Sequence, residues 1–276
     1  MIPGMDDTPT AQLGPHRLGP GQPLALIAGP CVIESADHTL QLAERIAAVA
    51  RKLDLPYVFK ASFDKANRSS IDSFRGPGLE AGLEILGRVR DAVGIPVLSD
   101  VHEPGQAAAA GKVLDCLQVP AFLCRQTDML LACGKAGRCV NIKKGQFLAP
   151  EKMGLAVEKV RGTGNANVLV TERGTFFGYE RLVNDMTGLA VMRQFAPVVF
   201  DATHSVQHPG GSGSATGGER RFIPLLARAA VAAGIDALFL EVHDDPDHAQ
   251  SDAATVWPLT QLEDLLGDCL RVQTAL

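Results

Sequence analysis

The chain has 276 residues, 46% of them hydrophobic, and a formal net charge of −5. This acidic balance argues against a general nucleic-acid binder, which needs a basic surface, and no apolar run approaches the roughly 18 residues that span a bilayer. Residues 1–22 are polar and rich in Pro and Gly, without the cationic start and apolar stretch of a signal peptide. We therefore expect a cytoplasmic protein with neither nucleic-acid nor membrane partners.

Eight short apolar runs divide the chain, and each is bounded by Gly, Pro or Asp. Short, almost continuously hydrophobic runs are typical of strands buried in a parallel sheet. The predicted strands are 24–30, 57–61, 95–99, 116–119, 139–143, 168–172, 198–202 and 237–241. Helical spacing lies between them, most clearly over 39–53, 78–93, 219–233 and 259–272.

Strand and helix alternating eight times predict an α/β fold, a closed (β/α)8 barrel. We expect one catalytic domain over residues 1–276, with 1–22 as an N-terminal extension that forms a plug or hairpin under the barrel. An open doubly wound sheet is the alternative, because periodicity does not show closure.

The six cysteines indicate reduced thiols. They lie at positions 31, 116, 124, 133, 139 and 269, without a C-x-x-C pair, so a zinc ribbon or a thioredoxin-like motif is unsupported. Cys116 and Cys139 fall inside apolar runs and are expected to be small core residues.

Nearly every predicted strand ends in a chemically capable side chain. In order these are Cys31, Lys60, Asp100 with His102, Gln118, Lys143, Arg173, His204 and Glu241. The active site of such a barrel lies where its strands end, so we expect one shared site. Lys60, Lys143 and Arg173 close or interrupt apolar strands, which a solvated surface position explains poorly, and such cations bind phosphate. Lys144, in contrast, fits an ordinary solvated lysine.

A candidate metal set consists of Cys31, His204, Glu241 and Asp252. A thiolate, an imidazole and carboxylates together suit Zn(II), Fe(II), Mn(II) or Co(II). No compact motif joins the four residues, so their spacing alone leaves metal binding open.

Two segments are predicted to be functional loops. Residues 209–218 are Gly-rich but lack the G-K-[ST] ending of a P-loop, which leaves a flexible tether or a lid over the barrel mouth. Residues 62–78 are too long and too polar for a plain connection.

Eight segments carry a family resemblance that covers residues 24 to 262. They are AGPCVIES (28–35), FKASFDKANRSS (59–70), SFRGPGLE (73–80), SDVHEP (99–104), PAFLCRQTD (120–128), NIKKGQF (141–147), FDATHSVQHPGG (200–211) and EVHDDPDHAQSD (241–252). With them the chain resembles the 3-deoxy-D-manno-octulosonate 8-phosphate (Kdo 8-phosphate) synthases. The resemblance implies a homotetramer with a role in making the Kdo sugar of Gram-negative lipopolysaccharide.

The resemblance also implies a role for individual residues. Phosphoenolpyruvate would bind to Lys60, Lys65, Gln118, Lys143, Arg173 and His204. Arabinose 5-phosphate would bind to Asn67, Arg68 and Ser69, with Asp100 near its hydroxyls and Arg125 supplied by a neighbouring subunit. Lys60, Lys143, His204 and Asp252 would be catalytic. Cys at position 31 implies the metal-dependent class, in which Cys31, His204, Glu241 and Asp252 hold the ion.

The reaction implied is an aldol-like condensation. C3 of phosphoenolpyruvate attacks the aldehyde carbon, water adds at C2, and phosphate leaves by C–O cleavage, while the metal either orients the aldehyde or activates the water. The nearest alternative is 3-deoxy-arabino-heptulosonate 7-phosphate synthase, which takes erythrose 4-phosphate. Its K-P-R-T-S type motif contrasts with KANRSS at 65–70 here. A non-catalytic sugar-phosphate-binding barrel is the alternative from another class.

Overall fold

The computed structural model describes residues 9–68, 70–212 and 215–276, and its central feature is a closed barrel of parallel strands. Strands β1 to β8 are Ala25–Gly29, Tyr57–Lys60, Val97–Asp100, Cys116–Val119, Cys139–Lys143, Val168–Glu172, Val198–Asp201 and Ala237–His243. Each strand pairs with the next one, and β8 returns to β1 with Leu238 opposite Leu26. The (β/α)8 barrel is thereby confirmed, and the open sheet is not the fold.

A helix follows each strand on the outside of the barrel. Helices α1 to α8 are Ala36–Lys52, Leu79–Val93, Ala107–Ala110, Thr127–Lys135, Met153–Arg161, Met186–Arg193, Ile223–Ala232 and Leu262–Thr274. Helix α1 begins three residues before the predicted start because Ser35 caps it, accepting the His38 N–H at 3.2 Å. Helix α7 begins later than predicted, since residues 220–222 form a 3-10 turn and Pro224 lies in the first helical turn.

Alternate strand residues face the interior of the barrel. Ile27, Val58, Leu98, Leu169 and Phe239 lie in one interior cluster, whereas their neighbours in sequence pack against the helices. Inward positions recur every two residues, so the next inward layer falls at the carboxyl ends of the strands. That layer is polar and contains Lys60, Asp100, Gln118, Asn141, Thr171, Asp201 and Glu241.

The opposite end of the barrel is covered by a hairpin. Residues Ala11–Leu13 pair with His16–Leu18, and Leu13 and Leu18 belong to the same interior cluster as the lower strand residues. Cys116 and Cys139 lie in that cluster as well, as expected for small core residues. This hairpin leaves the carboxyl ends of the strands as the open face.

Short elements surround that open face. Thr175–Phe176 pairs with Leu182–Val183, and Trp257–Pro258 pairs with the end of β8. In the Gly-rich segment, Gln207–Ser212 and Ala215–Gly218 form an antiparallel hairpin, and residues 213 and 214 lie outside the described part. Among the described residues, no helix combines the length and the hydropathy needed to cross a bilayer.

Candidate active site

A cavity of about 900 Å³ opens at the carboxyl ends of the strands. It is lined by strand ends and by residues of the 62–78, 120–123 and 249–254 segments. The sequence-predicted residues that line it are Lys60, Lys65, Asn67, Arg68, Asp100, Gln118, Lys143, Arg173, His204, Glu241 and Asp252. Ser69 lies outside the described residues. Sequence positions up to 192 apart thus come together, as the ends of parallel strands require.

Gly29 allows the first two strands to approach each other closely. A Cβ at this position would lie 2.0 Å from the carbonyl oxygen of Lys60, so any side chain would push β1 and β2 apart. The close approach lets Lys60 Nζ donate to the Cys31 carbonyl at 2.9 Å. The AGPC turn therefore fixes Cys31 relative to the cation on the neighbouring strand.

Three of the four candidate metal ligands form one cluster at the cavity, and His204 lies beside two of them. Ligand atoms of Cys31, Glu241 and Asp252 all lie within 4.8 Å of one another, and Cys31 Sγ is 3.5 Å from Asp252 Oδ2. His204 Nε2 lies 3.6 Å from Asp252 Oδ2 and 3.7 Å from Glu241 Oε2. Glu241 is fully buried, and its Oε2 has no hydrogen-bond partner among the described residues. A buried carboxylate oxygen without a donor fits a cation at this point.

The raised pKa of the Cys31 thiol also supports a cation beside it. Burial, together with the carboxylates of Asp252 and Glu241, raises the pKa of the Cys31 thiol well above its ordinary value. A divalent cation among these groups would oppose all three effects, because it compensates the carboxylates and stabilises the thiolate. The donor set therefore fits a thiophilic divalent ion better than it fits the protein alone.

Asp201 orients His204 from behind. Its carboxylate is fully buried and accepts from His204 Nδ1 at 2.7 Å, from the His204 backbone N–H at 2.9 Å and from Thr203 Oγ1 at 3.0 Å. Burial alone would raise the pKa of Asp201, but His204 and Lys143 outweigh it and hold that pKa well below its usual range. Because Nδ1 donates to Asp201, the lone pair of Nε2 faces Glu241 and Asp252.

Sequence reasoning missed Asp201, although a signal was present. Asp201 ends β7 at an inward position, three residues before His204 in FDATH. Gln207 was also missed, and it joins two predicted site residues by accepting from Arg173 Nη2 at 2.6 Å and donating to Asp252 Oδ2 at 3.2 Å. Nothing in the segment SVQHPGG marks Gln207, because its role comes only from the tertiary contact.

The cations converge on the same cavity. Lys60 Nζ lies 2.7 Å from Glu241 Oε1 and Lys65 Nζ lies 3.7 Å from it. Lys143 pairs with Asp201 and lies 4.4 Å from the ring centre of Phe239. Burial is the main effect on Lys143 and lowers its pKa, although Asp201 and Glu241 oppose the change. Arg173 Nη1 is buried with no hydrogen-bond partner in the described part of the chain, so this donor is available to an anion.

At the other side of the cavity lies a polar surface. Asp100 accepts from Ser62 Oγ at 2.5 Å and is 3.4 Å from His102 Nε2. Burial would raise the pKa of Asp100, but His102, Lys65 and Lys60 lower it to about 2. Asn67 is exposed, and Arg68 Nη2 donates to the Gln250 carbonyl at 2.8 Å. The 62–78 segment is thereby tied to the segment that carries Asp252.

The left-handed backbone of Asp252 is held by its neighbours. Asp252 has φ 51°, which is uncommon for a residue with a side chain. Its carbonyl accepts the Thr255 N–H at 2.8 Å and the Val256 N–H at 3.1 Å. Its carboxylate is therefore presented by an ordered turn, not by an open loop.

Two predicted cations lie elsewhere. Lys144 is fully buried, so its interpretation as a solvated lysine is wrong. Its Nζ contacts Thr175 Oγ1 at 3.0 Å, the Leu148 carbonyl at 3.3 Å and Glu172 Oε1 at 3.5 Å. Arg125 is exposed and lines a separate depression with Leu155 and Lys159 instead of the cavity of its own chain.

Comparisons with known proteins show similarity over almost the whole chain. The model of the DAHP synthetase I family matches residues 8–274. A 2-dehydro-3-deoxyphosphooctonate aldolase of Koribacter versatilis is 58% identical over 258 residues, which is 92% of this chain and 93% of the relative. Its namesake in Desulfatibacillum aliphaticivorans is 56% identical over 260 residues, 94% of this chain and 95% of the relative. A third, from Alkalilimnicola ehrlichii, is 57% identical over 251 residues, 91% of both chains.

Proposed function

Because the chain belongs to the DAHP synthetase I family, we infer that it is a 2-dehydro-3-deoxyphosphooctonate aldolase, that is, a Kdo 8-phosphate synthase. It condenses phosphoenolpyruvate with arabinose 5-phosphate and water, giving 3-deoxy-D-manno-octulosonate 8-phosphate and phosphate. Relatives of that name match over almost the whole chain. The observation that carries the inference is the convergence of the strand-end cations and the 62–78 segment on one cavity. A binding protein without catalysis has no need for both.

Phosphoenolpyruvate occupies the cationic side of the cavity in this proposal. Its phosphate and carboxylate bring negative charge to Lys60, Lys65, Lys143, Arg173 and Gln118, all of which line the cavity. Arg173 Nη1, buried without a hydrogen-bond partner among the described residues, receives one in the complex. Burial makes these interactions stronger than they would be in water.

Arabinose 5-phosphate occupies the opposite side. Asn67 and Arg68 face the cavity, and Ser69 follows them in sequence to complete the proposed acceptor set. Asp100, with a pKa of about 2, is ionised at neutral pH and accepts hydrogen bonds from sugar hydroxyls. The KANRSS segment resembles that of enzymes with the five-carbon acceptor, so we propose erythrose 4-phosphate only as the less favoured substrate.

The chemistry requires charge stabilisation and two proton movements. As C3 of phosphoenolpyruvate attacks the aldehyde carbon, the aldehyde oxygen gains negative charge, and the water that adds at C2 loses a proton. Lys60 and Lys143 present ammonium hydrogens to this charge. Burial lowers the pKa of Lys143, so its ammonium group gives up a proton more readily than that of a solvated lysine. Phosphate then leaves by cleavage of the C2–O bond.

We further propose that Cys31, His204, Glu241 and Asp252 hold a divalent cation, with Zn(II), Fe(II), Mn(II) and Co(II) all suited to the donor set. When bound, this ion supplies Lewis acidity to an oxygen of the aldehyde or of the water. His204 and Asp252 thus act in catalysis as positioned ligands. The support is geometric, since Glu241 Oε2 is buried without a hydrogen-bond partner among the described residues and faces His204.

For the assembly we propose a homotetramer in which Arg125 reaches the sugar phosphate of a neighbouring subunit. Exposed apolar side chains near Arg125 support a contact with another copy. They are Phe122, Phe147 and Leu155, which are 52%, 52% and 56% exposed. We place the enzyme in the cytoplasm, where its six buried cysteines remain free thiols, and its product in the synthesis of lipopolysaccharide Kdo.

Isotope tracing tests the proposed reaction directly. Phosphoenolpyruvate carrying ¹⁸O in the oxygen that bridges C2 and phosphorus is incubated with the enzyme and arabinose 5-phosphate. We expect an eight-carbon acid phosphate by mass spectrometry and all of the label in inorganic phosphate. Label retained in the organic product, or no product, would contradict the assignment.

A further inference from the structure

We propose a second divalent cation site, formed by Glu34, His38 and His243 and separate from the catalytic cavity. Glu34 and His38 flank the start of α1, and His243 ends β8. One ligand atom from each of the three residues lies within 4.8 Å of the others. None of the three lines the catalytic cavity, so the site is not part of the substrate-binding surface.

One ring nitrogen of each histidine lacks a hydrogen-bond partner in the described part of the chain. His243 is only 5% exposed, and its Nε2 is a buried atom without a partner among the described residues. His38 Nδ1 is also a buried atom without a hydrogen-bond partner among the described residues. Nε2 of His243 lies 3.3 Å from Glu34 Oε1, and the two imidazole rings are 4.9 Å apart. A buried imidazole nitrogen that lies beside a carboxylate without a hydrogen bond of good geometry is placed where a cation can bind both groups.

Asp244 supplies the support that ligating histidines need. His38 Nε2 lies 2.9 Å from Asp244 Oδ1, so the proton sits on Nε2 and the lone pair of Nδ1 is left for a cation. His243 Nδ1 lies 3.5 Å from the same oxygen, which receives its proton when Nε2 binds the cation. The cost is one hydrogen bond, because His243 Nδ1 now accepts the Asp245 N–H at 2.9 Å.

The donor set selects the class of cation. Two imidazoles and a carboxylate suit a borderline transition ion such as Zn(II) or Co(II), not Mg²⁺ or Ca²⁺, which prefer oxygen ligands. Three protein ligands leave a fourth position open for water. Arg45 is the nearby cation, with Nη1 3.4 Å from Asp244 Oδ2, and it leaves the cluster with two carboxylates against one guanidinium. Because Arg45 is exposed and contacts Oδ2 of Asp244, it does not block Oδ1, the oxygen that contacts His38.

The site is mechanically linked to the catalytic ligands. Glu34 Oε1, which lies 3.3 Å from His243 Nε2, also accepts the Gln250 N–H at 2.9 Å. Ser251, next in the chain, lies 3.0 Å from Cys31 Sγ through its Oγ, and Asp252 follows it. A cation at Glu34 therefore rigidifies the segment that carries Asp252.

Cobalt titration of the metal-free full-length protein tests the proposal. We expect two equivalents of Co(II), of which only one shows the thiolate-to-cobalt charge-transfer band of Cys31. His38→Ala should weaken binding of the other equivalent at least tenfold and leave the charge-transfer band unchanged. Asp244→Asn should weaken binding of the same equivalent by roughly 10- to 100-fold, as is typical when a group that orients a metal ligand is lost.

His248→Ala is the matched control, since His248 is 83% exposed and pairs only with Asp245 among the described residues. It should keep both equivalents. A single Co(II) equivalent that carries the charge-transfer band, or two equivalents that survive His38→Ala with unchanged affinity, would overturn the proposal. If the Cys31 site itself fails, the charge-transfer band is missing while the His38-dependent equivalent persists, so the two failures are distinguishable.

Discussion

Asp201 Oδ2 lies 2.7 Å from Nδ1 of His204, and this contact decides which histidine nitrogen faces the catalytic cavity. The same carboxylate pairs with Lys143. One buried acid at the end of β7 therefore orients an imidazole and compensates an ammonium group. Both partners carry proposed roles in the condensation, so the charge of Asp201 affects both halves of the site.

Asp201→Asn tests this relationship. The amide keeps the size of the side chain but removes the charge, so we expect metal affinity or kcat to fall by roughly 10- to 100-fold. Metal dissociation constants and steady-state rates measure the effect. Asp268→Asn on α8, where the carboxylate pairs with Arg228 and Arg271 near the surface, should change neither. Unaltered kcat and metal affinity in Asp201→Asn would show that orientation of His204 does not depend on this charge.

Gly29→Ala tests the close approach of β1 and β2. The new methyl group would lie 2.0 Å from the Lys60 carbonyl oxygen, and neither backbone segment can move without disturbing the barrel. We expect a loss of about 3 kcal/mol in the free energy of unfolding, at the upper end for overpacking. Urea denaturation measures it. Gly105→Ala is the control, because no atom lies within 4 Å of its Cβ, and equal stability of the two variants would refute the steric argument.

The strand pattern and its parity made most of the site predictable. In each strand, inward residues recur every second position, so Lys60 follows Val58, Asp100 follows Leu98 and Glu241 follows Phe239. A polar residue at the carboxyl end of such a series has to face the barrel mouth. The open alternative was removed only by the pairing of β8 with β1, which no local pattern shows.

What the sequence did not show depends on tertiary contacts. Lys144 follows the outward positions of Val140 and Ile142, which pack against the helices. Whether an outward lysine is solvated depends on what covers it, and here Thr175 and the Leu148 carbonyl do so. Gln207 belongs to the same category, since its role comes from contacts with Arg173 and Asp252, which lie in distant segments of the chain.

The proposed metal site is tested by removing the ion with a chelator and by substituting Cys31. A chelator should abolish activity, and Mn(II), Co(II), Zn(II) or Fe(II) should restore part of it. Cys31→Ser should weaken metal binding, because a neutral hydroxyl is a poor ligand, and affinity of the unaltered protein should fall at lower pH as the thiol is protonated. Cys31→Asn should retain some activity without metal if the ion mainly positions groups that an amide also holds.

Cys269→Ala serves as the control for these variants, because Cys269 is a buried thiol of α8 outside the cavity. It should remain fully metal-dependent. Full activity of the unaltered protein after exhaustive chelation would mean that Cys31 only packs the end of β1.

Arg125→Ala tests the proposed contribution of a neighbouring subunit. Loss of a charge-assisted phosphate contact is worth about 1.5–3 kcal/mol, so KM for arabinose 5-phosphate should rise at least about tenfold. KM for phosphoenolpyruvate should change little. Arg88→Ala, an exposed arginine on α2, is the control. A fully active monomer in analytical ultracentrifugation would contradict the shared site.

The most direct test of the proposed activity compares two acceptors. Phosphate release from phosphoenolpyruvate is measured with arabinose 5-phosphate and with erythrose 4-phosphate over the same concentration range. We expect kcat/KM to favour arabinose 5-phosphate at least about 100-fold, since loss of interactions worth roughly 3 kcal/mol corresponds to that ratio. Comparable values for the two aldose phosphates would contradict the assignment of the 62–78 segment and with it the Kdo 8-phosphate synthase activity.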